Sequence, residues 1–194
     1  MNEREVKIYK QYQDIVSYFI TELEVRDTEY PIEIFNEIRA TFTHLSRYKL
    51  DNKEADLISA ERHIKRAILD GFKYMCVSYA EELHSFRQRY KNVQLSLADN
   101  GKFLPKLDAL EHEAEEIYIN AKREEIKGVI SEDELYKLFE NSYNTYAEAS
   151  NFLRNSNSAI GFACSQAKKS KWFNIISLSI GVLGVLVGII GIIL

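Results

Sequence analysis

Apolar residues recur every three or four positions through most of the chain, with few breaks between them. Ile8, Tyr12, Ile15, Tyr18, Phe19 and Leu23 lie near helical spacing, which predicts a first helix from about Glu3 to Arg26 that stops before Tyr30-Pro31. Pro31 suits the first turn of a second helix running to about Leu50. A third, very long helix is expected from about Asn52 to Ala98, closed by Asn100-Gly101 as a left-handed C-cap. The fourth starts near Pro105 and stops before Gly128. Ser131-x-x-Glu134 then reads as a capping box opening a fifth helix that meets no further proline. No run of alternating Val, Ile and Thr suggests a sheet. The expected fold is therefore all-α, a bundle of long helices.

Residues 172–194, WFNIISLSIGVLGVLVGIIGIIL, carry no charge. As helix at about 1.5 Å per residue they would span roughly 35 Å, enough for a hydrocarbon core about 30 Å thick. Lys168, Lys169 and Lys171 precede this stretch, and Trp172 begins it. Basic residues and an aromatic anchor at one end describe a membrane interface, and the positive-inside rule puts the N-terminal part in the cytoplasm. The expectation is a tail-anchored protein. Residues 1–140 form its cytoplasmic bundle, 141–171 a polar stem continuing the last helix, and 172–194 a transmembrane helix.

Within the apolar stretch, Gly181, Gly184, Gly188 and Gly191 are spaced 3, 4 and 3, and they include a G-x-x-x-G pair. Followed upstream, the same alternation passes through Ser177, Asn174, Ser170, Ala167 and Ala163. A sustained 3.5-residue stripe of small residues is a helix-packing seam, so a homo-oligomer in the bilayer is expected. Two arrangements would use it: a dimer or small bundle, and a ring around a pore. Residues 141–171, rich in Asn, Ser and Ala, suit the wall of a water-filled vestibule and equally a frayed linker.

Composition narrows the class. The 194 residues are 46% hydrophobic and 28% charged, with a formal net charge of −4, so one compact domain is favoured and general nucleic-acid packaging is excluded. Charge is nevertheless segregated. Residues 1–37 hold 4 basic against 9 acidic side chains, 38–104 hold 12 against 8, 105–140 hold 5 against 11, and 141–194 hold 4 against 1. The basic second and third helices either pair with the two acidic segments or offer contacts to an anionic partner. Cys76 and Cys164 lie outside any Cys-x-x-Cys and read as reduced thiols. His44, His63, His84 and His112 form no metal-ligand spacing, and no Gly-rich loop or nucleophile elbow occurs, so no metal or cofactor is expected.

One pattern carries chemistry. Arg39-Ala-Thr-Phe-Thr-His44 matches R-x-x-x-x-H and resembles the signature of the HEPN superfamily of all-α RNases and defence proteins. The resemblance implies an arginine that stabilises phosphate charge and a histidine that moves protons or orients a 2′-hydroxyl. At 100° per residue Arg39 and His44 lie about 140° apart, so a working endoribonuclease site needs a second protomer or an altered turn. With the surroundings EIRATFTHLSRY and ERHIKRAILDGFKY and the apolar stretch, the chain is similar to the Csx accessory membrane proteins of type VI-B CRISPR loci. That similarity implies a HEPN-like body in the bacterial inner membrane, forming an oligomeric pore and enhancing RNA-guided antiviral defence. Its implied partners are the lipid bilayer and a CRISPR RNA-targeting effector or RNA. A membrane-tethered HEPN-type RNase and a tail-anchored adaptor for a cytoplasmic partner are the alternatives.

Overall fold

A computed structural model describes residues 2–27 and 31–193, with side chains described except at 27, 174–175 and 178–193. Among the described residues the chain is all-α, with seven α-helices and no strand. They are α1 (Glu3–Gln11), α2 (Ser17–Asp27), α3 (Ile32–Asp51), α4 (Glu54–Arg89), α5 (Phe103–Lys127), α6 (Glu132–Asn155) and α7 (Asn157–Ile193). A π-helical turn, Tyr12–Val16, joins α1 to α2, and a 3-10 segment, Leu95–Gly101, precedes α5.

Local chemistry explains several helix ends. Asn2 accepts from the Arg4 N–H while Glu5 accepts from the Asn2 N–H, a complete capping box. Asn52 closes α3 in the left-handed region at φ 52°, and Gly128, at φ 63°, donates to the Glu124 carbonyl to close α5. The expected box at Ser131 and Glu134 forms, with the Glu134 N–H on Ser131 Oγ and the Ser131 N–H on Glu134 Oε2.

Two boundaries differ from the expectation. The third helix ends at Arg89 rather than near Ala98. Asn100 and Gly101 do lie in the left-handed region, but they close the 3-10 segment, whose Leu95 and Ala98 are buried. The last helix is also interrupted. The Ser156 N–H turns back to the Leu153 carbonyl, Ser156 Oγ takes the Phe152 carbonyl, and the Ser156 carbonyl starts α7 by accepting from Ile160. A serine bonding its own preceding turn competes with the ladder that would have carried the helix on.

The chain divides into two compact units. The first comprises 1–85 and 110–150. Its core is built on α4, where Leu57, Ala60, Ile64, Ala67, Ile68, Phe72, Met75, Tyr79 and Leu83 repeat at helical spacing and are buried. Against them lie Ile8, Val16, Phe19 and Leu23, then Ile34 and Leu45 of α3, and Phe139, Tyr146 and Ala149 of α6. Phe19, Phe72 and Tyr143 meet ring to ring at 5.2–5.5 Å. Gly71 is required here, because a Cβ would overlap the Phe19 ring. The second unit comprises 86–109 and 151–194. Phe86, Leu95, Ala98, Phe103 and Leu107 form its core with Leu153, Ile160 and Ala163. Phe103 stacks on Phe152 at 5.7 Å, beneath the Lys106 ammonium.

Among the described residues no helix is long and apolar enough to cross a membrane. The span expected at 172–194 rests on side chains that mostly lie outside the described residues.

Candidate functional site

Arg39 and His44 both sit on α3, and the helix sends them to different surroundings. Arg39 is exposed. His44 is half-buried and faces α4, where Nδ1 meets Asp56 Oδ1 at 2.9 Å. Its ring stacks on His63, with centroids 5.3 Å apart and planes at 14°. His63 in turn meets Glu37 Oε2 through Nδ1 at 2.6 Å. The result is two histidine–carboxylate pairs crossing between α3 and α4. A carboxylate on Nδ1 favours a proton there and leaves Nε2 as the acceptor, the arrangement that orients an imidazole for proton transfer. Arg39 is not part of this cluster. His63, Glu37 and Asp56 lie outside the R-x-x-x-x-H signature, and only the packing of α3 on α4 brings them together around His44. Among the described residues no group of three or more His, Cys, Asp or Glu is arranged to hold a metal ion.

Part of the basic segment pairs with the acidic ones. Lys49 reaches Glu5 Oε1 at 2.5 Å, and Lys73 reaches Glu125 Oε1 at 2.5 Å. The Lys49 ammonium and the Asn2 N–H hold the buried Glu5 carboxyl below its ordinary value. Burial by itself would raise Glu125, but Lys73 and Lys122 outweigh it and the carboxyl is lowered. Asp70 goes the other way, raised chiefly by burial despite Lys73. Arg26, nearly buried, donates two hydrogen bonds to Glu82 Oε2 at 2.6 and 2.9 Å and lies over the Tyr79 ring. Ser150 donates to the same oxygen at 2.6 Å.

The polar segment 141–171 is divided by the packing. Ser142 is buried and donates to the Ala114 carbonyl at 3.0 Å, while Cys76 donates to Ser142 Oγ at 3.6 Å. With Tyr146, Ala149 and Ser150 also buried, residues 141–150 contribute core to the first unit rather than a wall facing water. On α7 the small stripe begins buried at Ala163 and emerges, with Ser170 and Ser177 exposed. Lys168, Lys169 and Lys171 are exposed, as are Trp172 at 69% and Phe173 at 71%. The side chains of Asn174, Gly181, Gly184, Gly188 and Gly191 lie outside the described residues.

No family model, curated protein or solved structure matches the chain.

Proposed function

We propose that the chain is a membrane-anchored, self-assembling protein that forms an oligomeric pore, the role in RNA-guided antiviral defence being the one its resemblance implies. The observation that carries this reading is α7. It continues as one helix from Asn157 to Ile193, through the boundary at Lys171 where charge ends, and there it exposes Trp172 and Phe173. Two large rings about 70% exposed leave apolar surface in water, which a headgroup interface would absorb. Three lysines beside them suit anionic headgroups of a bacterial inner membrane, with residues 1–171 on the cytoplasmic side. The exposed Ser170 and Ser177 leave this part of the stripe open for another α7.

A non-enzymatic reading is favoured over a HEPN-type RNase, because the exposed Arg39 has no contact with the cluster that holds His44 among the described residues. Full-length protein in detergent, weighed by mass photometry, should run as a closed ring of several subunits. Gly184→Leu with Gly188→Leu should reduce it to small species while the helical body stays folded, and unchanged assembly would sink the proposal. His44→Ala should leave membrane permeabilisation intact; its loss together with RNA cleavage would return the RNase reading.

A further inference from the structure

A phosphate-bearing ligand needs cations that are not already bound to the protein's own carboxylates. Several cations of α4 fail that condition, since Lys73 is held by Glu125, Lys65 is within 3.5 Å of Asp133 and Arg87 is paired with Asp108. Arg62 and Arg66 meet it. Both are exposed, and neither has an ion-pair partner among the described residues. Four residues apart on one helix, they present two guanidinium forks roughly 5–6 Å apart at their bases.

Both arginines line a cavity of about 420 Å³ in the first unit, within the size range of pockets that enclose small molecules. The α1 helix adds Lys7 and Gln11 to its wall. The side-chain oxygen of Gln11 is buried with no hydrogen-bond partner among the described residues, an acceptor that a ligand N–H or hydroxyl would satisfy. From α6 comes Tyr136, whose ring is held by an edge contact to Phe72 at 5.2 Å and 76°. A fixed aromatic ring beside Leu69 is a surface for a flat heterocycle. Glu132 and Asp133, in the first turn of α6, put negative charge in the same wall. They oppose a continuous phosphate backbone, whereas a mononucleotide can keep its phosphate on α4 and offer hydroxyl or amino donors to the carboxylates.

We propose that this cavity binds a nucleoside phosphate, with Arg62 and Arg66 on the phosphate and the base against Tyr136. The site belongs to the helical body and does not depend on the membrane reading. Nor does it use Arg39 or His44.

Equilibrium dialysis of full-length protein in detergent against radiolabelled ATP tests it. Binding should saturate at one ATP per chain and be displaced by excess AMP, with inorganic phosphate a much weaker competitor. Arg62→Gln with Arg66→Gln should weaken binding by about tenfold or more, as expected for lost charge-assisted hydrogen bonds. Tyr136→Leu should weaken it by about fivefold or more through lost stacking, and Tyr136→Phe should retain it. Arg47→Gln, an exposed cation outside the cavity, should change nothing. Circular dichroism and particle mass establish that each variant is folded. Absence of saturable binding at millimolar ATP, or undiminished binding by the folded double-arginine variant, would overturn the proposal. Displacement by inorganic phosphate as efficient as by ATP would also overturn it, as would single-stranded RNA outcompeting ATP in phosphate equivalents.

Discussion

The rings of His44 and His63 stack at 5.3 Å, each tied through Nδ1 to a carboxylate on the helix opposite its own. His44 of α3 takes Asp56 of α4, and His63 of α4 takes Glu37 of α3, so four side chains lock the pair of helices in register. Residues sharing such contacts are energetically coupled. His44→Ala and His63→Ala should each lower the thermal midpoint, and a double-mutant cycle should give a coupling of about 0.5–1.5 kcal/mol, the range for packed ring pairs. Strictly additive losses would mean the stack contributes nothing beyond its two separate histidine–carboxylate hydrogen bonds.

Two glycine-to-alanine substitutions should act in opposite directions. At Gly71 a methyl group would collide with Phe19, whose ring is fenced by Phe72 and Tyr143, so relief requires moving the core. A loss of about 1–3 kcal/mol is expected, as for other overpacked sites. At Gly161, on α7, a Cβ meets nothing within 4 Å, and the backbone is already helical. There alanine should stabilise by about 0.5–1 kcal/mol through reduced unfolded-state entropy. Chemical denaturation followed by circular dichroism reads both.

Acid should unfold the body by protonating carboxylates that the fold keeps ionised. Glu5, Glu33, Glu61, Glu125 and Glu134 all have lowered pKa values relative to an ordinary 4.5. A carboxyl depressed on folding stabilises the native state above its unfolded pKa, and that contribution is lost as pH falls through the folded pKa. Asp70, raised by burial, has the opposite sign and partly offsets them, because its cost is relieved on protonation. The thermal midpoint should therefore hold near neutrality and fall as pH drops below about 4.5. Glu5→Gln should lower the midpoint at neutral pH and flatten part of the acid dependence. An unchanged acid profile would show that the Glu5–Lys49 pair is not the anchor.

The two thiols should react very differently. Burial pushes the Cys76 thiol up to about 12, so almost no thiolate exists at pH 8. Cys164 is partly exposed on α7. A maleimide added to native protein should label one cysteine quickly, and Cys164→Ser should remove that fast phase. Rapid labelling of Cys76 would show that the contact between α4 and α6 opens.

Helices and their caps were legible in the sequence wherever the determinants are neighbours along the chain. The box at Ser131 and Glu134, the stop at Gly128, and the apolar repeat of α4 each depend on residues within a few positions of one another. The all-α class follows from those local preferences alone. Four features were decided only by tertiary packing. The chain leaves α4 at Arg89, without glycine or proline, and Leu95 and Ala98 beyond it are buried in the core of the second unit. Ser142 and Ser150, which read as solvent-facing polar residues, are buried with their hydroxyls donating hydrogen bonds to the Ala114 carbonyl and to Glu82. Partners like these, 28 and 68 residues away, leave no periodicity to read. The same holds for His63 beside His44, and for Arg62, Arg66 and Tyr136 around one cavity. Their residue types were visible from the start, but a site requires proximity, and helices distant in sequence become neighbours only when their apolar faces are buried together.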